Sequence, residues 1–294
     1  MSHTWILGAE DPEMIAIETL IRKCGQDVVY ATHQGRRVTP RNAYLADAVT
    51  FAPMSVVHTV ECAPVGMRPF YEHDHHRQGD VGYDAPAEQA PKASALGQVV
   101  SALACIYDPD IPGSPLLTLD WVEGYEVKTG DITFNGEWVV GTYCVPSLIV
   151  PRDLVVTAAC DHNLAGAWAG RVPGVTRMHV ADFRARTSAK DEATYEYDFR
   201  TACIALERAP LIALGKAHVR DMREHTVPEL PDAACYQGEA YLAKVSDRDG
   251  RCKIVLGGAT TPKDVIAFRD HWAPRAMLSD IYAMPDRGIA GGYL

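Results

Sequence analysis

Trp5-Ile6-Leu7-Gly8-Ala9-Glu10-Asp11-Pro12-Glu13-Met14-Ile15-Ala16-Ile17 is the stretch that decides the fold. Trp5-Ile6-Leu7 is a short unbroken apolar run, the pattern of a buried strand. Gly8 to Pro12 is a polar turn. From Glu13 the apolar residues Met14, Ile17, Leu20 and Ile21 recur at helical spacing, which predicts a helix over 13–24 capped by Gly25. Asp27–Ala31 and Ser55–Glu61 read as further strands. Strand, helix, strand in this order predicts a βαβ unit and a parallel sheet. The expected class is therefore α/β, with a parallel-sheet N-terminal metal-binding domain over 1–170 and a smaller C-terminal α+β domain over 171–294.

Beyond that unit, residues 64–91 read as a loop rich in His, Asp, Gly and Pro, and Ser94 as the N-cap of a helix over 94–107. Residues 108–151 are punctuated by Pro and Gly, with an extended segment at Trp138–Tyr143. Leu154–Ala158 is an apolar string, either a strand or a helix start. Residues 170–190 read as a transition. A helix over 191–209 would carry Tyr195, Phe199, Ala202, Cys203 and Leu206 on one face. Tyr241–Val245 and Lys253–Leu256 read as a hairpin around Asp247-Arg248-Asp249-Gly250, followed by a helix at 262–271 and the glycine-rich end Gly288–Leu294.

The formal net charge is −10, and the two Lys/Arg doublets are Arg22-Lys23 and Arg36-Arg37. A protein that grips long duplex nucleic acid needs a basic face, so that class is disfavoured, whereas a small anionic substrate fits if a bound metal supplies positive charge. Hydrophobic residues at 47% and charged residues at 22% place the chain among folded globular proteins. No apolar run has the length of a membrane helix, and the start Met1-Ser2-His3-Thr4-Trp5 has no secretory pattern, which makes the cytoplasm the expected compartment. The eight cysteines form no CxxC pair and read as reduced, small apolar residues. The sequence leaves the oligomeric state open.

Glu72-His73-Asp74-His75-His76 concentrates carboxylate and imidazole groups, which are ligands for Mn²⁺, Fe²⁺ or Zn²⁺ and costly to bury unpaired. Three other acidic clusters each follow an apolar segment: Glu10-Asp11-Pro12-Glu13, Glu61 and Asp161-His162. A parallel sheet gathers strand ends at one rim, where ligands bind, and a rim with these groups suits two-metal hydrolysis. Each cluster also has a plainer reading. The histidine run is then a solvated loop, Glu10–Glu13 are acids favoured at a helix N-terminus, Glu61 is a turn residue, and Asp161 caps a helix through Ala165–Ala169. His3, His33, His58, His179, His218, His225 and His271 read as surface or satisfied core residues. Arg77 suits bidentate phosphate binding, His162 adjoins Asp161, and Gly291 and Gly292 either offer backbone N–H groups to a phosphate or form a tail.

The Asp74-His75-His76 triplet with these clusters resembles the DHH phosphoesterases, which include single-strand exonucleases, pyrophosphatases, exopolyphosphatases, cyclic-dinucleotide phosphodiesterases and oligoribonucleases. The resemblance covers 1–170. It implies a parallel-sheet domain holding two divalent ions, usually Mn²⁺, with Mg²⁺ or Zn²⁺ as alternatives, and a smaller domain that closes over the substrate. It implies Asp11, Glu13, Glu61, Asp74 and Asp161 as metal ligands, and His75 as a ligand or a group that orients one. His76 becomes the transition-state stabiliser; Arg77, His162, Gly291 and Gly292 bind substrate. Glu13 and Glu61 stand where the family has aspartates, and Gly291-Gly292-Tyr293 and Gly257-Gly258-Ala259 stand in place of a Gly-Gly-His signature. The implied function is metal-dependent phosphohydrolysis of a nucleotide, dinucleotide or short oligonucleotide. Two alternatives remain: a non-catalytic binding protein on a degenerate fold of this type, and a metal hydrolase of a non-phosphate bond.

Overall fold

The computed structural model describes residues 2–51, 55–83, 85–106, 122–134, 137–148, 152–246 and 250–294. The chain divides into two compact units, Met1–Tyr83 with Lys92–Val155, and Asp84–Pro91 with Val156–Leu294.

The first unit is α/β around a parallel sheet. Its strands are β1 (His3–Leu7), β2 (Asp27–Tyr30), β5 (Val56–Val60) and β6 (Tyr71–His73), in the order β2-β1-β5-β6. β3 (Thr32–His33) and β4 (Arg36–Arg37) form a small separate hairpin. Trp5, Ile6 and Leu7 are fully buried, as their unbroken apolar run requires. Helix α1 (Pro12–Lys23) starts where the side chain of Asp11 accepts a hydrogen bond from the Met14 amide, with Pro12 in the first turn, where no amide is needed. Met14, Ile17, Leu20 and Ile21 form its buried stripe. β5 ends at Val60, and Glu61 follows it directly.

The 64–91 segment is more than a loop. Its residues Tyr71–His73 pair in parallel with His58–Val60 as the edge strand, so the histidine run begins on a strand and leaves it at Asp74. Three residues are too few to show an alternating pattern. The short helix α2 (Ala90–Ala93) leads into α3 (Ala95–Ile106), where the Ser94 hydroxyl accepts from the Gly97 amide at 3.1 Å, the expected cap. α3 packs on α1. An antiparallel ribbon, β7 (Val122–Phe134) with β8 (Glu137–Leu148), follows.

Helix α4 (Arg152–Trp168) corrects one expectation: Leu154–Ala158 lies inside it, so Asp161 follows no strand. Val155-Val156-Thr157 suits either state, and the alanines after it tip the balance to helix. α4 kinks at Asn163 (φ −155°, ψ 82°), whose Oδ1 accepts from the Gly166 amide at 2.8 Å and starts the second segment. The transition expected over 170–190 holds α5 (Arg177–Thr187), capped by Thr176 and burying only Val180 and Phe183, a stripe too thin to read from sequence. α6 (Glu192–Arg208), capped by Asp191, is where it was expected.

The rest of the second unit is a mixed six-stranded sheet with helices. In chain order it comprises β9 (Leu211–Leu214), β10 (Ala217–Met222), α7 (Leu230–Gln237), β11 (Ala240–Ser246), β12 (Cys252–Gly258), α8 (Pro262–Ala267), a wide turn at Phe268–Trp272, α9 (Ala273–Arg275), β13 (Ser279–Met284) and β14 (Ile289–Tyr293). The strand order is β13-β14-β12-β11-β10-β9, with β10 and β11 parallel and the other neighbours antiparallel. β11 and β12 make the expected hairpin; Asp247–Asp249 of its turn lie outside the described residues. Leu214, Val219, Leu242, Ile254, Leu256, Val265 and Phe268 fill the core beneath the sheet. The glycine-rich end is no tail: β14 lies between β12 and β13, and a Cβ on Gly291 would come within 2.4 Å of the Tyr282 hydroxyl. No described helix is long and apolar enough to cross a membrane.

Candidate metal centre

The centre lies at the carboxyl ends of β5 and β6. Glu61 leaves β5 with φ at +49°, a left-handed conformation that a non-glycine residue adopts at a cost. Its backbone is pressed against β1: the Gly8 amide donates to Val60 O at 2.9 Å, and a Cβ on Gly8 would sit 2.5 Å from Glu61 O. Only glycine allows that approach. The Glu61 amide in turn donates to His73 O at 3.1 Å, which holds the two strand ends together.

These contacts bring the side chains to one place. His75 is fully buried, and its Nε2 lies 3.1 Å from Glu61 Oε1 and 3.7 Å from Glu13 Oε2. His76 is 38% exposed, with Nδ1 3.4 Å from Glu61 Oε1 and 3.3 Å from Asp74 Oδ1. Glu61, His75 and His76 each offer one ligand atom within 4.8 Å of the others. Glu13 is buried in the first turn of α1, and its Oε1 accepts from the Leu96 amide at the start of α3, at 3.0 Å. One carboxylate thus sits at two helix N-termini, a placement the helix dipoles favour.

Asp74 organises the triplet. Its Oδ1 accepts from the amides of His75 at 2.7 Å and His76 at 3.0 Å, and its Oδ2 accepts from the Tyr44 hydroxyl at 2.9 Å. Burial alone would raise the Asp74 carboxyl, but hydrogen bonds from the ring and backbone of His76 and from Tyr44 outweigh it and hold the pKa at about 2. Burial and the Asp74 charge push the Tyr44 phenol up. The amide of Gln98, on α3, donates to Asp74 O at 2.9 Å and accepts from the Asp74 N–H at 3.2 Å. Arg77 lies with its guanidinium 4.3 Å from the Tyr44 ring centroid and 3.2 Å from Asp80.

No family model matches the sequence, and no curated protein matches it. Among solved structures, a pGpG-specific phosphodiesterase (PggH) of Vibrio cholerae aligns over 100% of this chain and 92% of its own, at 10% identity and a TM-score of 0.38.

Of the residues singled out in the sequence, Glu13, Glu61, Asp74, His75, His76 and Arg77 gather in the first unit around the ends of β5 and β6. Asp11 caps α1 two residues before Glu13. Asp161 and His162 lie on α4 in the second unit, where His162 Nε2 meets Ala85 O at 3.0 Å, and Gly291 and Gly292 lie in β14. Sequence reasoning missed Gln98 and Tyr44. Gln98 had a signal, as a polar residue within the apolar run Ala95–Ile106; Tyr44 had none. It also set aside His3 and His58. His3 Nδ1 faces His58 Nε2, and His58 Nδ1 faces His73 Nε2, both at 3.0 Å, with Trp5 stacked 3.9 Å from His58. Burial, and then the neighbouring His73 and His3, lower the His58 pKa to about 3; burial lowers His73 to about 4.

The donor set fits a divalent cation. His75 Nε2 and Glu61 Oε1 are hydrogen-bonded at 3.1 Å, and metal–nitrogen and metal–oxygen bonds of roughly 2.0–2.2 Å would hold two such atoms about 3 Å apart as well. Mixed imidazole and carboxylate donors suit Mn²⁺, Fe²⁺ or Zn²⁺.

Proposed function

We propose that this chain is a metal-dependent phosphohydrolase or phosphodiesterase acting on a nucleotide, a dinucleotide or a short oligonucleotide. The observation that carries the proposal is the convergence of Glu61, His75 and His76 beside buried Glu13 and Asp74 at the carboxyl end of a parallel sheet. Within this reading Glu13, Glu61, Asp74 and His75 hold a divalent ion, Mn²⁺ by preference, and the order of acidic clusters in the sequence adds Asp11 and Asp161 to the set. Such an ion lowers the pKa of a bound water and offsets charge on the phosphoryl oxygens. His76 turns Nδ1 toward Asp74 and Glu61, and we assign its Nε2 to a phosphoryl oxygen of the substrate. Arg77 steers the anion toward the centre. The net charge of −10 favours a small substrate over a long nucleic acid. We also retain, as part of the proposal, a metal-holding region over 1–170 and a substrate-binding region over 171–294, in a cytoplasmic protein.

The test is elemental analysis of protein purified without chelator, with turnover of a chromogenic phosphodiester measured in Mn²⁺. The expected outcome is bound divalent metal and Mn²⁺-dependent hydrolysis, both lost in Glu61→Ala. Protein that binds no metal after soaking in Mn²⁺ sinks the reading. Metal binding with turnover only on ester or amide substrates would keep the centre and replace the phosphate by another scissile group.

A further inference from the structure

Among the described residues, helix α3 contributes no ligand to the metal centre, yet two of its groups reach the segments that do. The Leu96 amide donates to Glu13 Oε1 at 3.0 Å. Two residues on, the Gln98 side chain reaches the loop that leaves β6 with Asp74, His75 and His76.

That side chain ties four backbone groups together. Its Nε2 donates to Asp74 O at 2.9 Å, Val81 O at 2.8 Å and Ala93 O at 2.9 Å, and its Oε1 accepts from the Asp74 amide at 3.2 Å. Two N–H groups are shared over three carbonyls, so at least one bond is bifurcated. The partners fix the residue type. Three carbonyls need a donor and the amide needs an acceptor, which a primary amide supplies and a carboxylate or an alkyl chain does not. The peptide between Asp74 and His75 is held from both sides, its C=O by Gln98 and its N–H by Asp74 Oδ1 at 2.7 Å.

The far end of the loop is fixed at the same place. Val81 O shares the Gln98 amide, and a Cβ on Gly82 (φ +91°) would lie 2.3 Å from Ala93 O, an approach that glycine alone permits. Residues 74–82 thus form a loop closed at its base by Gln98, with His75 and His76 carried between the ends.

We infer that Gln98 is the positioning residue of the metal centre: its amide sets the direction in which the loop presents His75 to Glu61 and Glu13, and divalent-ion affinity depends on it. This rests on the metal centre proposed above and not on the choice of scissile group. The test compares the full chain with Gln98→Met, which keeps the length of the side chain and removes all four bonds. Val99→Ala is the control, since it opens a cavity at a fully buried position of the same helix and leaves those bonds intact. Hydrogen exchange is followed by mass spectrometry in EDTA, and Mn²⁺ affinity by calorimetry. In Gln98→Met, residues 74–82 should exchange about tenfold faster, with Val56–Val60 unchanged. Its Mn²⁺ affinity should fall roughly 10–100-fold. Val99→Ala should lower the melting temperature and leave both readouts near the parent's. Gln98→Glu keeps the acceptor and loses the donated bonds, so it too should speed exchange over 74–82, which guards against a Gln98→Met chain that fails to fold. Unchanged exchange over 74–82 in the Gln98 variants overturns the inference. So does an equal loss of Mn²⁺ affinity in Val99→Ala and Gln98→Met, for the amide then acts only through the stability of α3. A parent that binds Mn²⁺ no better than Gln98→Met overturns this inference alone; a parent that binds none overturns the metal centre as well.

Discussion

His75 and His76 are neighbours with opposite environments. The first is fully enclosed between two carboxylates, and the second is 38% exposed. An enclosed imidazole between carboxylates suits a metal, and an exposed one suits a substrate. His76→Ala should therefore keep most of its metal and its melting temperature and lose about 10²–10³ in kcat with KM little changed. His75→Ala should lose metal and turnover together. Elemental analysis beside steady-state kinetics separates the two, and equal turnover in His76→Ala and the parent would remove His76 from catalysis. A second residue-scale case is Tyr195, whose hydroxyl is buried with no hydrogen-bond partner among the described residues, and whose phenol is pushed up by burial. Removing an unsatisfied buried hydroxyl relieves a desolvation cost. Tyr195→Phe should be more stable by about 1 kcal/mol in urea unfolding, and a comparable loss of stability would show that the hydroxyl has a partner such as ordered water.

At the scale of elements, α4, α5 and α7 are joined by one buried carboxylate. Asp232 of α7 is fully buried, takes a two-pronged contact from Arg184 of α5 with the closest approach 2.9 Å, and accepts from Trp168 Nε1 of α4 at 3.0 Å. α5 buries little else, which explains both why it was illegible as a helix and why it depends on this contact. Asp232→Ala would leave a partly buried guanidinium and an indole N–H without their acceptor, at a cost of about 3–5 kcal/mol. Chemical denaturation measures it; a loss below about 1 kcal/mol would mean that water replaces the carboxylate. In the first unit the comparable element-level device is the Gln98 amide, through which α3 holds the backbone of Asp74.

For the whole molecule, the centre carries Glu13, Glu61 and Asp74 close together, and like charges in one place favour a bound cation. A cation that binds only the folded chain stabilises it by mass action. The melting temperature should rise with Mn²⁺ concentration and fall back with EDTA; indifference to both would mean that the centre binds no Mn²⁺. A separate pH dependence comes from the histidine chain. His58 and His73, with pKa values lowered to about 3 and about 4, stay neutral in the fold, while in the unfolded chain they take up protons below about pH 6.5. The unfolded state then binds more protons, so stability is full above about pH 6.5 and falls as the pH drops toward 4. Melting curves in EDTA should show this decline, and His58→Phe should make it shallower, with the part due to His73 remaining. A flat profile in the parent would mean that the two histidines take up protons alike in the folded and unfolded chain.

The N-terminal βαβ order was legible from sequence because its signals are local. Trp5-Ile6-Leu7, the stripe Met14, Ile17, Leu20 and Ile21, and the acids after β1 and β5 are contiguous features that short-range physics fixes. The identity of the residues beside His75 was not local. Glu13 reaches it because α1 packs on α3, and Glu61 because β6, three residues long and unreadable as a strand, pairs with β5. The same holds for His58, a lone histidine in the sequence that becomes the middle of a three-imidazole chain once β1, β5 and β6 lie side by side. Asp161 shows the converse limit. Its apolar neighbours suited strand or helix, and the packed structure selected a helix with a kink at Asn163. Gly291 was open to two local readings until Tyr282 was laid across it. The sequence alone determined the class of the first unit and the residue types of its centre. Tertiary pairing decided which of them meet, because contacts between residues dozens of positions apart depend on strand register and helix packing, which no local pattern encodes.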